Sequence, residues 1–472
     1  MVTGLKSSLP GVRIIADSGF SENCVLVIKR SSLINKFPEA KAMAALSFPY
    51  GKSSIKLDIP DIRLRAVLTP GHCKSLTHEQ EEAAIRHALQ NPIGSPPLYR
   101  MVKNKKNIVI IASDHTRPVP SKTIMPIVLE EIRRGNPGAD ITILIATGMH
   151  RGSTGDELIE KFGRSIVDNE RIVVHDSYDL NSVADIGVLP SGGRLELNKT
   201  ALEADFLMAE GFIEPHFFAG FSGGRKSVLP GIASEVCVRA NHCARFIASD
   251  KAVAGNLEGN PLQIDMLYAA EKANLAFIIN VLIDEKQNVL QAFAGHWNLA
   301  HIAGTEALRA IAQVEPVFAP IVITGNGGYP LDQNVYQAVK SMSTAELTCS
   351  PGGVIIALDR CEDGHGDENF YRVLSHSSDP GKLLEDVMDV SSEDTEAGQW
   401  EYQILARILQ KFKVIMVTEA QRPMIEDMGM LFAESVEQAI LMAEEIVGDR
   451  NAPITAIPNG IAVFCKTRTG TC

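Results

Sequence analysis

The chain has 472 residues, enough for two or three domains, and its 45% hydrophobic and 22% charged content is that of an ordinary soluble protein. A formal charge of −12 disfavours nucleic acid and anionic membrane as partners. No run reaches the ~20 apolar residues of a membrane span, no signal-peptide pattern opens the sequence, and the eight Cys form no CxxC, so the expected setting is the reducing cytoplasm.

Residues 1–42 read as an N-terminal extension. After Met43, Ile55 and Leu57 alternate with Lys56 and Asp58 as in a half-buried strand. His78–Gln90 reads as a helix stopped by Asn91-Pro92. A βαβ unit follows. Residues 107–112 form a continuous apolar run, as a strand buried on both faces requires. The loop Ser113-Asp114-His115-Thr116-Arg117-Pro118 comes next. Ile124, Ile127, Val128 and Ile132 then mark a helix face, with Pro126 placed in the first turn. Residues 141–146 are the next strand, continued by Thr147-Gly148-Met149-His150-Arg151. Residues 171–174 lead into His175-Asp176, and residues 204–209 lead into a loop that reaches His216. Open α/β sheets bind ligands at the carboxyl ends of their strands, so four strands ending in ionisable loops point to one place. A helix over 235–247 carries His242, and a strand covers 276–283. A second α/β block has strands at 321–324, 354–358, 414–417 and 461–464 and helices at 335–342 and 435–446.

The most unusual stretch is 214–234, EPHFFAGFSGGRKSVLPGIAS, with its many glycines, His216 and Lys226. Such a loop gives up much conformational entropy on folding, and glycine lets a ligand approach the main chain closely. Gly220 to Ser227 keeps the spacing of a phosphate loop, but Arg225 stands where the second Gly belongs, which argues against a nucleoside triphosphatase. His150 and His216 each follow a strand in a Gly-containing loop. Each by itself is explained as a strand-end cap, whereas the two together suit proton transfer on opposite sides of a small substrate. Arg117 carries the fork that holds a carboxylate, with a salt bridge to Asp114 as the plain alternative. Gln337 and Lys340 share a helix face, although a solvated lysine is the commoner case. His242 has no HxxxH or HExxH partner, so it is structural unless its other ligands come from elsewhere. The residues alone thus point to an α/β enzyme that works on a small anionic substrate with His acid/base chemistry.

Taken together, SDHTRPVP at 113–120, ATGMHR at 146–151, HFFAGFSGGRKSVLPGIAS at 216–234, NH at 241–242, NGGYPLDQNVYQAVK at 326–340 and QW at 399–400 resemble the nickel-pincer lactate racemase family. The resemblance spans nearly all of the chain from Met43 to Phe464, with no departure at these positions. It implies two α/β domains, about 43–270 and 275–472, with mainly parallel Rossmann-like sheets, the active site in the cleft between them and possible exchange of a terminal segment. It implies a cofactor too: nickel held by a pyridinium-3-thioamide-5-thiocarboxylic acid mononucleotide joined covalently to Lys226. His242 is then the nickel ligand, and His150 and His216 are the paired acid/base residues. Asp114, Tyr336, Gln337, Lys340 and Trp400 fall at cofactor-binding places, and Arg117 with Lys340 would hold the substrate carboxylate. The activity so implied interconverts D- and L-lactate by reversible hydride transfer, and cofactor-synthesis enzymes are expected as partners. The competing readings are a racemase or epimerase of another 2-hydroxy acid, such as malate or a sugar acid, and a carrier of the nickel cofactor.

Overall fold

The structure, a computed structural model, describes residues 43–71 and 73–466; the expected extension 1–42 lies outside them. The chain builds two six-stranded sheets. The first has the order Val289–His296, Leu275–Ile283, Phe206–Phe212, Asn107–Ser113, Asp140–Ala146, Arg171–Val174. All its neighbours are parallel except the first pair. The second is parallel throughout, in the order Leu431–Ala433, Lys413–Val417, Cys349–Leu358, Ala319–Gly325, Ile454–Ile457, Leu64–Val67.

The strands follow from their residues. Ile108 to Ala112 and Ile141 to Ile145 are buried at every position, because helices cover both faces of a parallel sheet. In the first sheet the chain starts at a central strand, winds to one side and returns to the other; in the second it does the same from Ala319–Gly325, after the edge strand Leu64–Val67. In the first sheet that reversal falls between Asn107–Ser113 and Phe206–Phe212. In the second it falls between Ala319–Gly325 and Ile454–Ile457. A crevice opens at such a switch point, at the carboxyl ends of the strands.

The two sheets do not follow the expected division of the sequence. Leu64–Val67 is the edge strand of the second sheet, beside Ile454–Ile457. The hairpin Met43–Tyr50/Ser53–Pro60 packs Phe48, Leu57 and Ile59 against Ile321, Ile323 and Ile356. Residues 43–68 therefore close a face and an edge of the second sheet, because apolar strands such as Ile321 to Ile323 must be covered on both sides. Leu275–Ile283 and Val289–His296, grouped by sequence with the second block, extend the first.

Some elements differ from the sequence reading. Pro126 lies inside the helix Ser121–Gly135, not in its first turn. The helix starts earlier because Pro118 and Pro120 preset the entry and the Ser121 hydroxyl donates to Glu210 at 2.5 Å; Pro126 costs it one backbone hydrogen bond. The helix expected over 235–247 is two, Glu235–Asn241 and Ala244–Ile247. His242 is the cap residue at the break (φ −101°, ψ 23°), and Cys243 is extended. The last sheet strand is Ile454–Ile457, whereas the run at 461–464 yields only the short strand Phe464–Cys465 beside Gln313–Val314. No helix among the described residues is long and apolar enough to cross a membrane.

Candidate functional site

Asp114 and Arg117 follow the strand Asn107–Ser113, His150 follows Asp140–Ala146, and Glu214 and His216 follow Phe206–Phe212. The switch point thus gathers three loops. Among the described residues His175, at the fourth expected strand end, is buried with its ring nitrogens 3.0 Å from the Ala233 carbonyl and 3.0 Å from Asn198 Nδ2, so it ties loops together.

Asp114 is 1% exposed. Its Oδ2 lies 2.7 Å from His150 Nδ1, and its Oδ1 accepts from the Thr116 hydroxyl at 2.7 Å and the Thr116 N–H at 3.1 Å. A carboxylate only accepts, so His150 carries a proton on Nδ1 and turns the lone pair of Nε2 to the open side. Burial alone would raise the Asp114 carboxyl, but the bond to His150, that residue's charge, Arg117 and Thr116 outweigh it and hold it at about 2. A folded-state value below the ordinary 3.8 adds stability above pH 4 that is lost as pH falls towards 2. Asp114→Asn is therefore expected to lower unfolding free energy at pH 7 by about 2 kcal/mol, with the gap to the wild type closing below pH 4 in urea titrations.

His216 has the opposite polarity. Its Nδ1 accepts the Ala219 N–H at 3.2 Å, so in the neutral ring the proton sits on Nε2. Burial, then Lys226, Lys340, Arg117 and His242, push His216 well below its ordinary value. Phe217 and Phe218 wall it, with ring centroids 5.2 and 4.6 Å away.

The Gly-rich loop brings Lys226 into the same place through the short 3₁₀ turn Gly224–Ser227. Two glycines are required. Gly223 (φ 75°) would put a Cβ 2.8 Å from both Asn280 Oδ1 and the Phe212 carbonyl, and Gly224 (φ 55°) would put one 2.6 Å from the His301 ring. Arg225, which breaks the phosphate-loop pattern, is 1% exposed and binds the loop to itself. It donates to the Phe221 carbonyl at 2.7 Å, the Ala219 carbonyl at 2.8 Å and the Gln263 side chain. Burial, then Arg225 and Arg117, push the Lys226 amine well below its ordinary value, with Glu214 opposing.

His242 is 5% exposed, with Phe218 and Trp400 edge-on at 5.3 and 5.0 Å. Its Nδ1 donates to the Val238 carbonyl at 3.0 Å, which leaves the Nε2 lone pair free. Burial and Lys226 hold it unprotonated down to about 3. From the other half, Asn334 caps the helix Val335–Glu346, whose first turns carry Tyr336, Gln337 and Lys340. Lys340 Nζ donates to Gln337 Oε1 at 2.5 Å, and Tyr336 is hydrogen-bonded to Trp400.

The ten residues singled out in the sequence are linked into one cluster by contacts and charge interactions: Asp114, Arg117, His150, His216, Lys226, His242, Tyr336, Gln337, Lys340 and Trp400. Two carboxylates join them that the sequence reading left without a role. Glu214 faces Arg117, Lys340 and Lys226. Glu401 is 2% exposed and faces Lys340 and Tyr336. Glu214 opens the Gly-rich stretch and Glu401 follows the QW pair, so position was the only signal for either.

A model described as the lactate racemase N-terminal domain matches residues 50–255, and one for the lactate racemase C-terminal domain matches 314–465. The chain is 51% identical over 427 residues to the lactate racemase of Thermoanaerobacterium thermosaccharolyticum, covering 90% of this chain and 100% of that one. It is 46% identical over 425 residues to the lactate racemase of Lactiplantibacillus plantarum, with the same coverage of 90% and 100%. The lactate racemase apoprotein structure from T. thermosaccharolyticum superposes with a TM-score of 0.87 at 51% identity, over 90% of this chain and 100% of that one. A Thermotoga maritima protein matches at a TM-score of 0.60 and 19% identity, over 83% and 99% of the two chains, which shows the shared fold. The fold, the cleft and these relatives define an enzyme of the isomerase class, a racemase. The chain belongs to the lactate racemase family.

Proposed function

We propose that this protein interconverts D- and L-lactate in the cytoplasm, using nickel held in a pyridinium-3-thioamide-5-thiocarboxylic acid mononucleotide that cofactor-synthesis enzymes supply. The observation that carries the reading is the convergence of two imidazoles of opposite polarity, His150 and His216, on the cations Arg117 and Lys340 beside Lys226 and His242. The six cysteines among the described residues are unpaired thiols, which fits a reducing compartment.

The residues present fit such a cofactor. Thioamide formation needs an unprotonated amine, and burial beside Arg225 favours that form of Lys226. A neutral imidazole with Nδ1 tied to a carbonyl and Nε2 free is a ready ligand for a divalent metal such as Ni(II), and His242 has that form. Lys226 and His242 would hold the group, with Asp114, Tyr336, Gln337, Lys340 and Trp400 around it. When bound, it supplies a reversible acceptor for the C2 hydrogen together with its electron pair.

The chain's own residues do the rest. Arg117 and Lys340 bind the substrate carboxylate and fix its orientation. His150 takes the hydroxyl proton on Nε2, and Asp114 stabilises the imidazolium so formed. To return a proton to the oxygen on the other side, His216 must be the imidazolium, protonated on Nδ1 as well as Nε2, so that loss of the Nε2 proton leaves a neutral ring; the Nδ1 proton displaces the ring from the Ala219 N–H. The ring so left, with Nδ1–H and a free Nε2, is the base for the opposite enantiomer. Phe217 and Phe218 exclude water from that side.

Lactate deuterated at C2 tests the reading. Protein made beside the cofactor-synthesis enzymes should racemise it with the label retained in the product. Washout of deuterium into water at the rate of racemisation would mean proton abstraction at carbon, and the proposal would fall.

A further inference from the structure

Glu401 has no assigned part in the site, yet it is a carboxylate buried against it. It is 2% exposed, in the first turn of the helix Gln399–Lys411, directly after Trp400. That helix packs on Val335–Glu346, the helix that carries Lys340. Glu401 Oε2 is enclosed and has no hydrogen-bond partner among the described residues. A buried carboxylate in that state is costly unless a charge faces it. The charge that acts on it is Lys340, and among the described residues the Tyr336 phenol also feels the Glu401 charge. Lys340 in turn is faced by Glu401, Arg117 and Glu214, and it acts on His216 and Lys226.

We infer that Glu401 is a positioning residue that keeps Lys340 an ammonium ion and so fits it to hold the carboxylate of a 2-hydroxy acid. The role of Lys340 rests on the function proposed above; the pairing of the two charges does not. A buried lysine sheds its proton, and a neutral amine cannot bind a carboxylate as an ion pair. Burial pushes Lys340 down and Glu401 up, and each group's charge opposes the other's shift. Two such groups titrate as a unit that shares a proton. A substrate carboxylate beside Lys340 sets a second negative charge against the nitrogen and tips that proton towards it. The partial positive charge at the N-terminal end of the helix, capped at Gly398, also favours the carboxylate form of Glu401, which sits in the first turn.

The test starts with the full-length protein without cofactor. Trace acylation with acetic anhydride between pH 6 and 10, read by peptide mass spectrometry against the exposed Lys122, gives the titration of Lys340. Glu401→Gln keeps the shape and removes the charge. It should lower the Lys340 midpoint by about one pH unit, a tenfold rise in labelling at neutral pH, and Glu401→Asp should restore most of it. An unchanged midpoint overturns the pairing. In the cofactor-loaded enzyme, Glu401→Gln should raise KM for lactate about tenfold, with the loss growing as pH rises, while kcat falls less. A shifted midpoint with unchanged KM and pH profile overturns the role in substrate binding. If the loaded wild type does not racemise lactate but the midpoint still shifts, the proposed function fails and the charge pairing stands.

Discussion

Replacing Lys226 by Ala is expected to remove both the covalent cofactor and all detectable racemisation, without loss of the fold. The loop that carries Lys226 is held by other residues. Arg225 binds the Phe221 and Ala219 carbonyls at 2.7 and 2.8 Å, and the backbone turns at Gly223 and Gly224. The Lys226 ammonium would be a buried charge among Arg225, Arg117 and Lys340, opposed by Glu214, so truncating it relieves the folded state. What the change removes is the one amine in the cleft that burial and three cations hold ready to bond. Intact mass should therefore show a cofactor increment on the wild type, made beside the cofactor-synthesis enzymes, and none on Lys226→Ala. His242→Ala should behave differently: the increment stays and the nickel content falls, because its free Nε2 is a metal donor and not an attachment point. An increment on Lys226→Ala with normal turnover would overturn the attachment, and normal nickel in His242→Ala would overturn the ligand.

How much of this was legible depended on whether a residue's partners were near it in sequence. The strands at 107–112 and 141–146 could be read because burial on both faces leaves a continuous apolar run. Their loops could be read because polar residues at strand ends have few structural reasons to recur. The crossing of residues 43–68 to the second sheet could not, since Ile55 and Leu57 alternate in the same way whichever sheet lies beneath them. His242 was misplaced on a continuous helix because nothing in Asn241-His242-Cys243 is a strong helix breaker. The helix ends locally: the His242 N–H makes the last i→i−4 bond, to the Val238 carbonyl, which also takes His242 Nδ1, and Cys243 then turns extended. Glu401 was passed over because a Glu in the first turn of a helix is usually solvated, and only the packing of that helix against Lys340 buries it. Arg225 read as a defect in a phosphate loop, and its burial shows it to be the loop's internal brace.

The two histidines give the second large effect. His150→Ala and His216→Ala should each lower the rate of racemisation by about 10²–10⁴, in both directions. Each turnover needs an acceptor on one side of the substrate and a donor on the other, so loss of either breaks the cycle. The double variant should be little slower than the worse single one, because groups that act in one step are non-additive. The two sites are not equivalent, and the singles should differ in kind. His150 is backed by the ionised Asp114 at 2.7 Å, so Asp114→Asn should reproduce much of the His150→Ala loss without removing the ring. His216 has only the Ala219 N–H behind it, at 3.2 Å, and sits among Lys226, Lys340, Arg117 and His242. Burial, with these neighbours, keeps His216 neutral as pH falls. Asp114→Asn should therefore slow His216→Ala further but add little to His150→Ala. Equal effects of Asp114→Asn on both single variants would overturn the assignment of Asp114 to His150. Undiminished racemisation by either single variant would end the two-imidazole mechanism.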